Sequence, residues 1–423
     1  MKVGDYVKLK TKQGEIKGLV VPSTDSKLVI LKQDSGYNLA VERSDILRTS
    51  RIYSKKQELK TYKEVKHKKG LKNITILHTG GTIASKVDYK TGGVISRFKP
   101  EELIAMYPEL ARIANLNARL VRNMWSEQMR FAHFNLLAKE VAKEEKKSDG
   151  IIITQGTDTL AYTAAALAFI LEDINIPVLI VGAQRSSDRG SSDAAFNLTK
   201  ACKFISETDF VGVAICMHGS SEDKEALILP ACKTKKLHSS RRDAFRPVNT
   251  LPIARVIDKV QFLDKYRKKG DRKLTVKLLK ETLKIGIVKV HPNMFAAELK
   301  CYENFNGLVI EATGLGQMPI EKIDVFTQEN ASIFTQLKKL LKKIPVVLIS
   351  QCIFGRVHMH VYEPAVKLKQ AGVLGDHTDM TTEAALIKLA WLLSNDKKNL
   401  KQLWDKNLRG ELSSRTKFKE EII

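Results

Sequence analysis

The chain has 423 residues, more than one ordinary domain holds, with 43% hydrophobic and 28% charged residues, enough apolar side chains to bury a core. No apolar run approaches the roughly 18 residues of a membrane-spanning helix, and the opening MKVGDYVKLK lacks the apolar stretch of a secretory leader, so a cytoplasmic protein is expected. The formal net charge of +24 bears on partners rather than on fold: RNA fits it, and so does a generally lysine-rich proteome, since no aromatic-interleaved RNA-binding pattern accompanies the lysines.

Residues 1–53 read as a small SH3-like β-barrel. Gly4-Asp5 precedes the alternation Tyr6-Val7-Lys8-Leu9, and the apolar runs Ile16–Val21 and Leu28–Leu31 are separated by turn residues. Residues 54–70 form a lysine-rich linker. From about 70, apolar strands alternate with helical stretches, the pattern of parallel α/β sheets. A large domain is expected over 71–265, with strands Ile74–His78, Ile151–Thr154, Val178–Gly182 and Val211–Cys216 and helices at 101–115, 131–147, 160–172 and 193–204. Residues 255–284 are charged and lack a strand pattern, so a domain boundary falls there, with 266–284 as a connecting segment. A smaller α/β domain follows over 285–410, with strands Ile285–Val290, Leu308–Glu311 and Val346–Ser350 and helices at 326–343 and 382–395, the last capped by Thr381 or Thr382. Ser413–Ile423 reads as a frayed tail. The five cysteines are odd in number and widely spaced with no C-x-x-C, which argues for reduced, buried thiols rather than disulfides or a zinc ribbon.

Two segments carry the strongest chemical signal: Thr79-Gly80-Gly81-Thr82 and Gly156-Thr157-Asp158-Thr159. Each follows an apolar strand, and strand ends are where ligands bind in open α/β sheets. A hydroxyl delivered beside a carboxylate in such a crevice points to an activated Thr nucleophile. Neither G-x-G-x-x-G nor G-x-x-x-x-G-K-[ST] is present at the first segment, so the turn is either structural or a nucleophile turn. Tyr89, between Val87-Asp88 and Thr91-Gly92-Gly93, sits on a stretch that is either a mobile lid or an ordinary surface loop. Asp158 can bind a substrate ammonium or simply cap the following helix, and Thr157 can join a proton relay. In Lys233-Thr-Lys-Lys236, one lysine near a threonine and an aspartate can act as a base; alone, the segment is a basic loop. Gln184–Asp193 borders the same crevice or caps helix 193–204. His358-Met-His360 would place two imidazoles on one face of a strand, but no third metal ligand is evident, and no metal is expected.

In combination, Thr79–Ala84 (TGGTIA), Gln155–Thr159 (QGTDT) and Asp376–Leu392 closely resemble the bacterial-type L-asparaginase/glutaminase family over about residues 70–395. With the N-terminal β module, Val87-Asp-Tyr89, Trp125-Ser-Glu127 and Arg185–Arg189 added, the chain resembles the GatD family of archaeal-type Glu-tRNA(Gln) amidotransferases. The resemblance implies a two-domain α/β amidohydrolase acting as a dimer. It implies that Thr82 is the first nucleophile and Tyr89 the lid tyrosine, with Thr157, Asp158 and Lys236 forming the second triad; Lys235 is the alternative to Lys236. Ser126 and Glu127, with Gly81 and Gly156, would hold the substrate's α-amino and α-carboxyl groups. Gln128 and Gln317 depart from the smaller Asp or Asn usual in the family. The implied activity is hydrolysis of the side-chain amide of glutamine, or asparagine, to supply ammonia. No cofactor is implied in this chain. ATP and Mg²⁺ belong to a partner, GatE, which converts Glu-tRNA(Gln) to Gln-tRNA(Gln) in a heterotetramer built on the homodimer. The alternatives are a free-standing cytoplasmic L-asparaginase with an accessory barrel and a non-enzymatic scaffold on a degenerate asparaginase fold.

Overall fold

A computed structural model describes residues 1–23, 25–33, 38–54, 67–81, 85–87, 94–96, 107–186 and 191–416. In the N-terminal module, the alternation of Asp5–Thr11 buries Val7 and Leu9 and turns Lys8 and Lys10 outward. Five antiparallel strands run in the order Asn38–Glu42, Leu28–Lys32, Gly14–Val21, Asp5–Thr11, Ile46–Ser54, with the 3-10 turn Arg43–Asp45 before the last. Val7, Leu9, Val20, Val29 and Leu31 form its core. The sheet is antiparallel throughout, as period-two alternation between turn residues implies.

The main sheet has eight strands in the order Val260–Phe262, Ala254–Val256, Ala226–Pro230, Gly212–His218, Pro177–Val181, Gly150–Thr154, Asn73–His78, Asn115–Leu120. The last five are parallel, and the first three continue the sheet antiparallel, so the sheet is mixed rather than purely parallel. Its central strands are continuous buried runs (Ile151–Ile153, Val178–Val181), as strands covered on both faces must be. Helix Leu160–Ile170, apolar nearly all round, lies between this sheet and helix Thr382–Asn395, with the Phe169 and Trp391 rings 5.8 Å apart. The smaller lobe is a three-stranded parallel sheet, Ile285–Lys289, Gly307–Ala312 and Val346–Ser350. One hydrophobic cluster runs from Leu77 and Ile153 through Phe169 to Val309, Ile349 and Leu393, so the two lobes share a core.

Three expectations need correction. Of the helix expected over 101–115, residues 101–106 lie outside the described residues. The remainder is a 3-10 turn at Pro108–Arg112, followed by the strand that begins at Asn115. Only Asn115 of that strand falls within the expected helix, and pairing beside Asn73–His78 makes it the first residue of the strand instead. Residues 255–284 are not strand-free. The hairpin Ala254–Val256/Val260–Phe262 closes one edge of the main sheet, and Thr275–Val276 pairs with Leu171–Glu172; strands this short and this exposed leave no period to read. Ser413–Thr416 is anchored rather than frayed: the Ser413 amide donates to Asp379 Oδ1 at 3.1 Å, and Arg356 donates to Ser413 O and Thr416 Oγ1. Residues 417–423 lie outside the described residues. Cys202, Cys216 and Cys232 are buried and reduced, and burial pushes the Cys202 thiol up to about 12, whereas Cys301 and Cys352 are exposed. Among the described residues no helix is long and apolar enough to cross a membrane.

Candidate active site

Neighbouring strands Asn73–His78 and Gly150–Thr154 end together, with Thr154 opposite His78. The chains leaving them are tied at once: the Thr79 amide and hydroxyl both donate to Thr154 O at 3.0 Å, and the Gln155 amide donates to Val181 O on the next strand. His78 shares a 2.6 Å hydrogen bond with the Thr154 hydroxyl beneath the crevice. Burial pushes the His78 pKa down to about 4, so the imidazole is neutral at pH 7.

Glycines make this close approach possible. Gly81 has φ +83°, and a Cβ there would fall 2.3 Å from Gly156 N and 2.5 Å from Gly156 Cα. A Cβ on Gly156 would in turn meet Ser126 Oγ at 2.9 Å. Gly81 and Gly156 therefore meet backbone against backbone, and the buried Ser126 side chain packs on Gly156. Ser126 opens the 3-10 turn Ser126–Gln128, and its carbonyl accepts a 2.7 Å bond from Thr159 Oγ1. Glu127 lies on the same turn and is exposed.

Lys236 ends the short strand Thr234–Lys236, which pairs with Phe245–Pro247 in a two-stranded ribbon. Its ammonium donates to Thr157 Oγ1 at 2.8 Å and to Asp158 Oδ1 at 2.7 Å. The lysine side chain is 15% exposed and the Asp158 side chain 67%, so the pair sits at the mouth of the crevice, while Thr157 is buried below it. Asp158 faces Lys236 rather than capping the helix; the cap position falls to Thr159, whose side chain accepts no bond from the helix. Lys235 is drawn elsewhere, 3.1 Å from Glu383, so it is Lys236 and not its neighbour that faces Thr157 and Asp158. Lys233 is 2% exposed and pairs with Asp379 at 2.5 Å. Thr82 and Tyr89 lie outside the described residues.

Sequence reasoning left several supports unread. The Asp193 carboxylate accepts from the Gln184 and Arg185 amides at 3.0 Å, fixing the loop that follows strand Pro177–Val181 rather than capping helix Ala194–Glu207. Asn197 links Gly182 O to the buried His218, which reaches Asp223 and through it Arg242. The scatter of Asp, Asn and His along this stretch was the available signal, but it carries no period.

His358 and His360 lie in an irregular turn, not on a strand. His360, Asp376 and His377 do bring three possible ligand atoms within 4.8 Å of one another. His358 is not part of that group, and the Lys369 ammonium already sits 2.8 Å from His360 Nε2 and 2.6 Å from Asp376 Oδ2, so the chain supplies its own cation there. The adjoining cavity, of about 800 Å³, is lined by His360, Lys369, Asp376, His377, Lys401 and Asp405, and includes none of Thr157, Asp158 or Lys236.

Comparison with known proteins divides the chain in three. Residues 1–50 match the GatD N-terminal domain family, residues 73–268 the Asparaginase, N-terminal family, and residues 284–403 the Glutaminase/Asparaginase C-terminal domain family. The glutamyl-tRNA(Gln) amidotransferase D chain (GatD) of Pyrococcus furiosus is 39% identical over 99% of this chain and 96% of its own. That of Archaeoglobus fulgidus is 40% identical over 98% of this chain and 96% of its own. The chain belongs to the GatD family of glutamyl-tRNA(Gln) amidotransferases. Membership in the GatD family places the N-terminal sheet and the amidohydrolase lobes in one functional chain. Among solved structures, the thermostable L-asparaginase from Thermococcus kodakarensis superposes with a TM-score of 0.71 at 26% identity, over 81% of this chain and all of that one. L-asparaginase I from Vibrio cholerae gives 0.70 at 27% identity with the same coverage. The share of this GatD-family chain left uncovered is about what the N-terminal module and linker occupy.

Proposed function

We infer that this chain is the glutaminase component of a tRNA-dependent amidotransferase, releasing ammonia from the glutamine side chain for the amidation of Glu-tRNA(Gln). One observation carries the reading: Lys236 is hydrogen-bonded to Thr157 and Asp158 beside the Gly81–Gly156 contact, in a chain alike end to end to GatD proteins. The mechanism uses Thr82, directly after Gly81, as the nucleophile. Its oxygen bonds to the amide carbonyl carbon while its proton passes to Tyr89 or, through the Thr157 hydroxyl, to Lys236, which accepts it as the neutral amine. Backbone amides around Gly80–Thr82 and Thr157 hold the oxyanion, an effect worth roughly 3–4 kcal/mol per donor. The C–N bond breaks, ammonia leaves with the proton returned to it, and water hydrolyses the acyl-threonine to glutamate. Asp158 holds the substrate α-ammonium and orients Lys236; Ser126 and Glu127 contribute to binding the substrate's α-substituents.

This chain needs no cofactor for that chemistry. The partner, GatE, carries the ATP and Mg²⁺ with which the γ-carboxylate of Glu-tRNA(Gln) is activated, and the working unit is a cytoplasmic heterotetramer built on a homodimer of this chain. The deciding experiment measures ammonia release from glutamine by the chain alone, then with GatE, ATP, Mg²⁺ and Glu-tRNA(Gln). Strong stimulation with formation of Gln-tRNA(Gln) supports the reading. Fast hydrolysis that prefers asparagine and ignores the additions overturns it in favour of a free-standing asparaginase.

A further inference from the structure

Lys233 is the second most telling lysine of the chain, although it touches none of the site residues. Its side chain is 2% exposed, as is that of Asp379, and the two are 2.5 Å apart. The same ammonium donates to Asp379 O at 3.2 Å and to Ser413 Oγ at 3.1 Å. Asp379 also accepts the Ser413 amide and lies 3.8 Å from Arg356. The pair joins the ribbon Thr234–Lys236/Phe245–Pro247, which belongs to the larger lobe, to the loop that precedes helix Thr382–Asn395 of the smaller one.

The ribbon's second strand leads into a residue that grips the same loops. Asn249, at φ +57°, donates to Asp379 O at 3.2 Å and to Gly355 O at 3.0 Å, and accepts the Gly355 amide at 2.8 Å. Lys233 precedes one strand of the ribbon and Asn249 follows the other, so the open end of the ribbon is held twice at Asp379, while Lys236 lies toward its turn end. A buried ion pair is a weak source of net stability, because removing two charges from water offsets their attraction. What such a pair does supply is geometry: an ammonium among fixed acceptors has one place to sit. Three residues further on, Lys236 must hold its Nζ 2.8 Å and 2.7 Å from two separate acceptors, which a ribbon free to tilt would not achieve.

We propose that Lys233 is a positioning residue: its ion pair with Asp379 fixes the ribbon against the smaller lobe and thereby sets Lys236 on Thr157 and Asp158. The smaller lobe then contributes to catalytic geometry without lending a group to the reaction. The proposal rests on the reading of Lys236 as a working group of the site.

The test uses the full chain with GatE and three variants: Lys233→Met, Asp379→Asn and the double variant Lys233→Met/Asp379→Leu, which removes both charges and refills the space. Three quantities are read: kcat and KM for glutamine, the melting temperature, and the acetylation rate of the Lys236 amine by acetic anhydride, followed by mass spectrometry. The expected result for Lys233→Met is a kcat lower by tenfold or more, KM within threefold, and Lys236 acetylated several-fold faster while Lys300, at the end of helix Ala296–Lys300, is unchanged. The double variant recovers the melting temperature but neither kcat nor the slow acetylation. Recovery of kcat together with the melting temperature would mean that the pair is merely structural. So would unchanged Lys236 acetylation in a folded Lys233→Met chain. A wild-type chain that releases no ammonia in the complete complex would sink the glutaminase reading alone, and the acetylation comparison would still decide the positioning role.

Discussion

At the scale of single residues, Lys236 is the group whose loss the geometry makes most costly. Its ammonium bridges the Thr157 hydroxyl and the Asp158 carboxylate, and positioned proton transfer of this kind contributes about 10²–10⁴ in rate. Lys236→Met is therefore expected to lower kcat for glutamine by at least about 10² with the melting temperature nearly unchanged, since the pair it breaks lies at the mouth of the crevice. Gly81→Ala is expected to damage stability as well as activity. A Cβ 2.3 Å from Gly156 N forces the two loops apart, at a cost of roughly 1–3 kcal/mol, so both the urea midpoint and activity fall. His78 gives a pH dependence whose sign follows from its neutral, buried state. Between pH 6.5 and about 4 the unfolded chain takes up a proton that the folded chain refuses, so stability rises with pH through that window and is lost on acidification. The shift corresponds to about 3 kcal/mol, and His78→Asn is expected to flatten the pH dependence of the urea midpoint across that same window. Thr157, Asp158 and Gly81 were legible because each sits just past the end of an apolar strand. Lys233 and Asp379 were not, because 146 residues separate two groups that matter only once folded together.

At the scale of elements, the segment after helix Leu400–Trp404 behaves as a strap. Glu411 accepts the Leu408 and Arg409 amides and pairs with Lys388 at 2.7 Å, both side chains fully buried, while Arg409 reaches Glu172 in the other lobe and lies over the Phe169 and Trp391 rings. Glu411→Gln leaves the Lys388 ammonium buried among neutral acceptors alone, the Trp404 and Lys406 carbonyls included, and a loss of about 3–5 kcal/mol is expected in denaturant unfolding. Lys388→Met/Glu411→Leu is expected to recover most of it. Buried central strands were easy to place, since Ile151–Ile153 and Val178–Val181 are continuous apolar runs. The edge strands were not: Asn115–Leu120 carries two asparagines and an arginine, and Val260–Phe262 is three residues long, so neither declares a face. The strap was missed for a different reason. Its sequence, Leu408-Arg-Gly-Glu-Leu-Ser-Ser, is polar, and a polar terminus reads as solvent-facing until its charges are seen to have buried partners.

At the scale of the whole molecule, the +24 charge makes encounters with a polyanion salt-sensitive. Raising the salt from about 0.1 M, where charges act over roughly 10 Å, to several-fold higher is expected to lower the rate of ammonia release stimulated by GatE and Glu-tRNA(Gln) several-fold, while the unstimulated rate changes by less than about twofold. The overall architecture was readable because two lobes of α/β type repeat one hydrophobic grammar, whereas the seam between them, built from isolated charges, has none. That seam has a consequence for how the chain tolerates change. Lys233, Lys235 and Lys236 each meet a different carboxylate, Asp379, Glu383 and Asp158, and the three acids come from both lobes. Inserting or deleting one residue in this short ribbon would misdeliver all three cations at once, burying one without its counter-charge and withdrawing another from the substrate. Slippage here is thus punished three times over, and the ribbon is a place where length, more than identity, is under constraint.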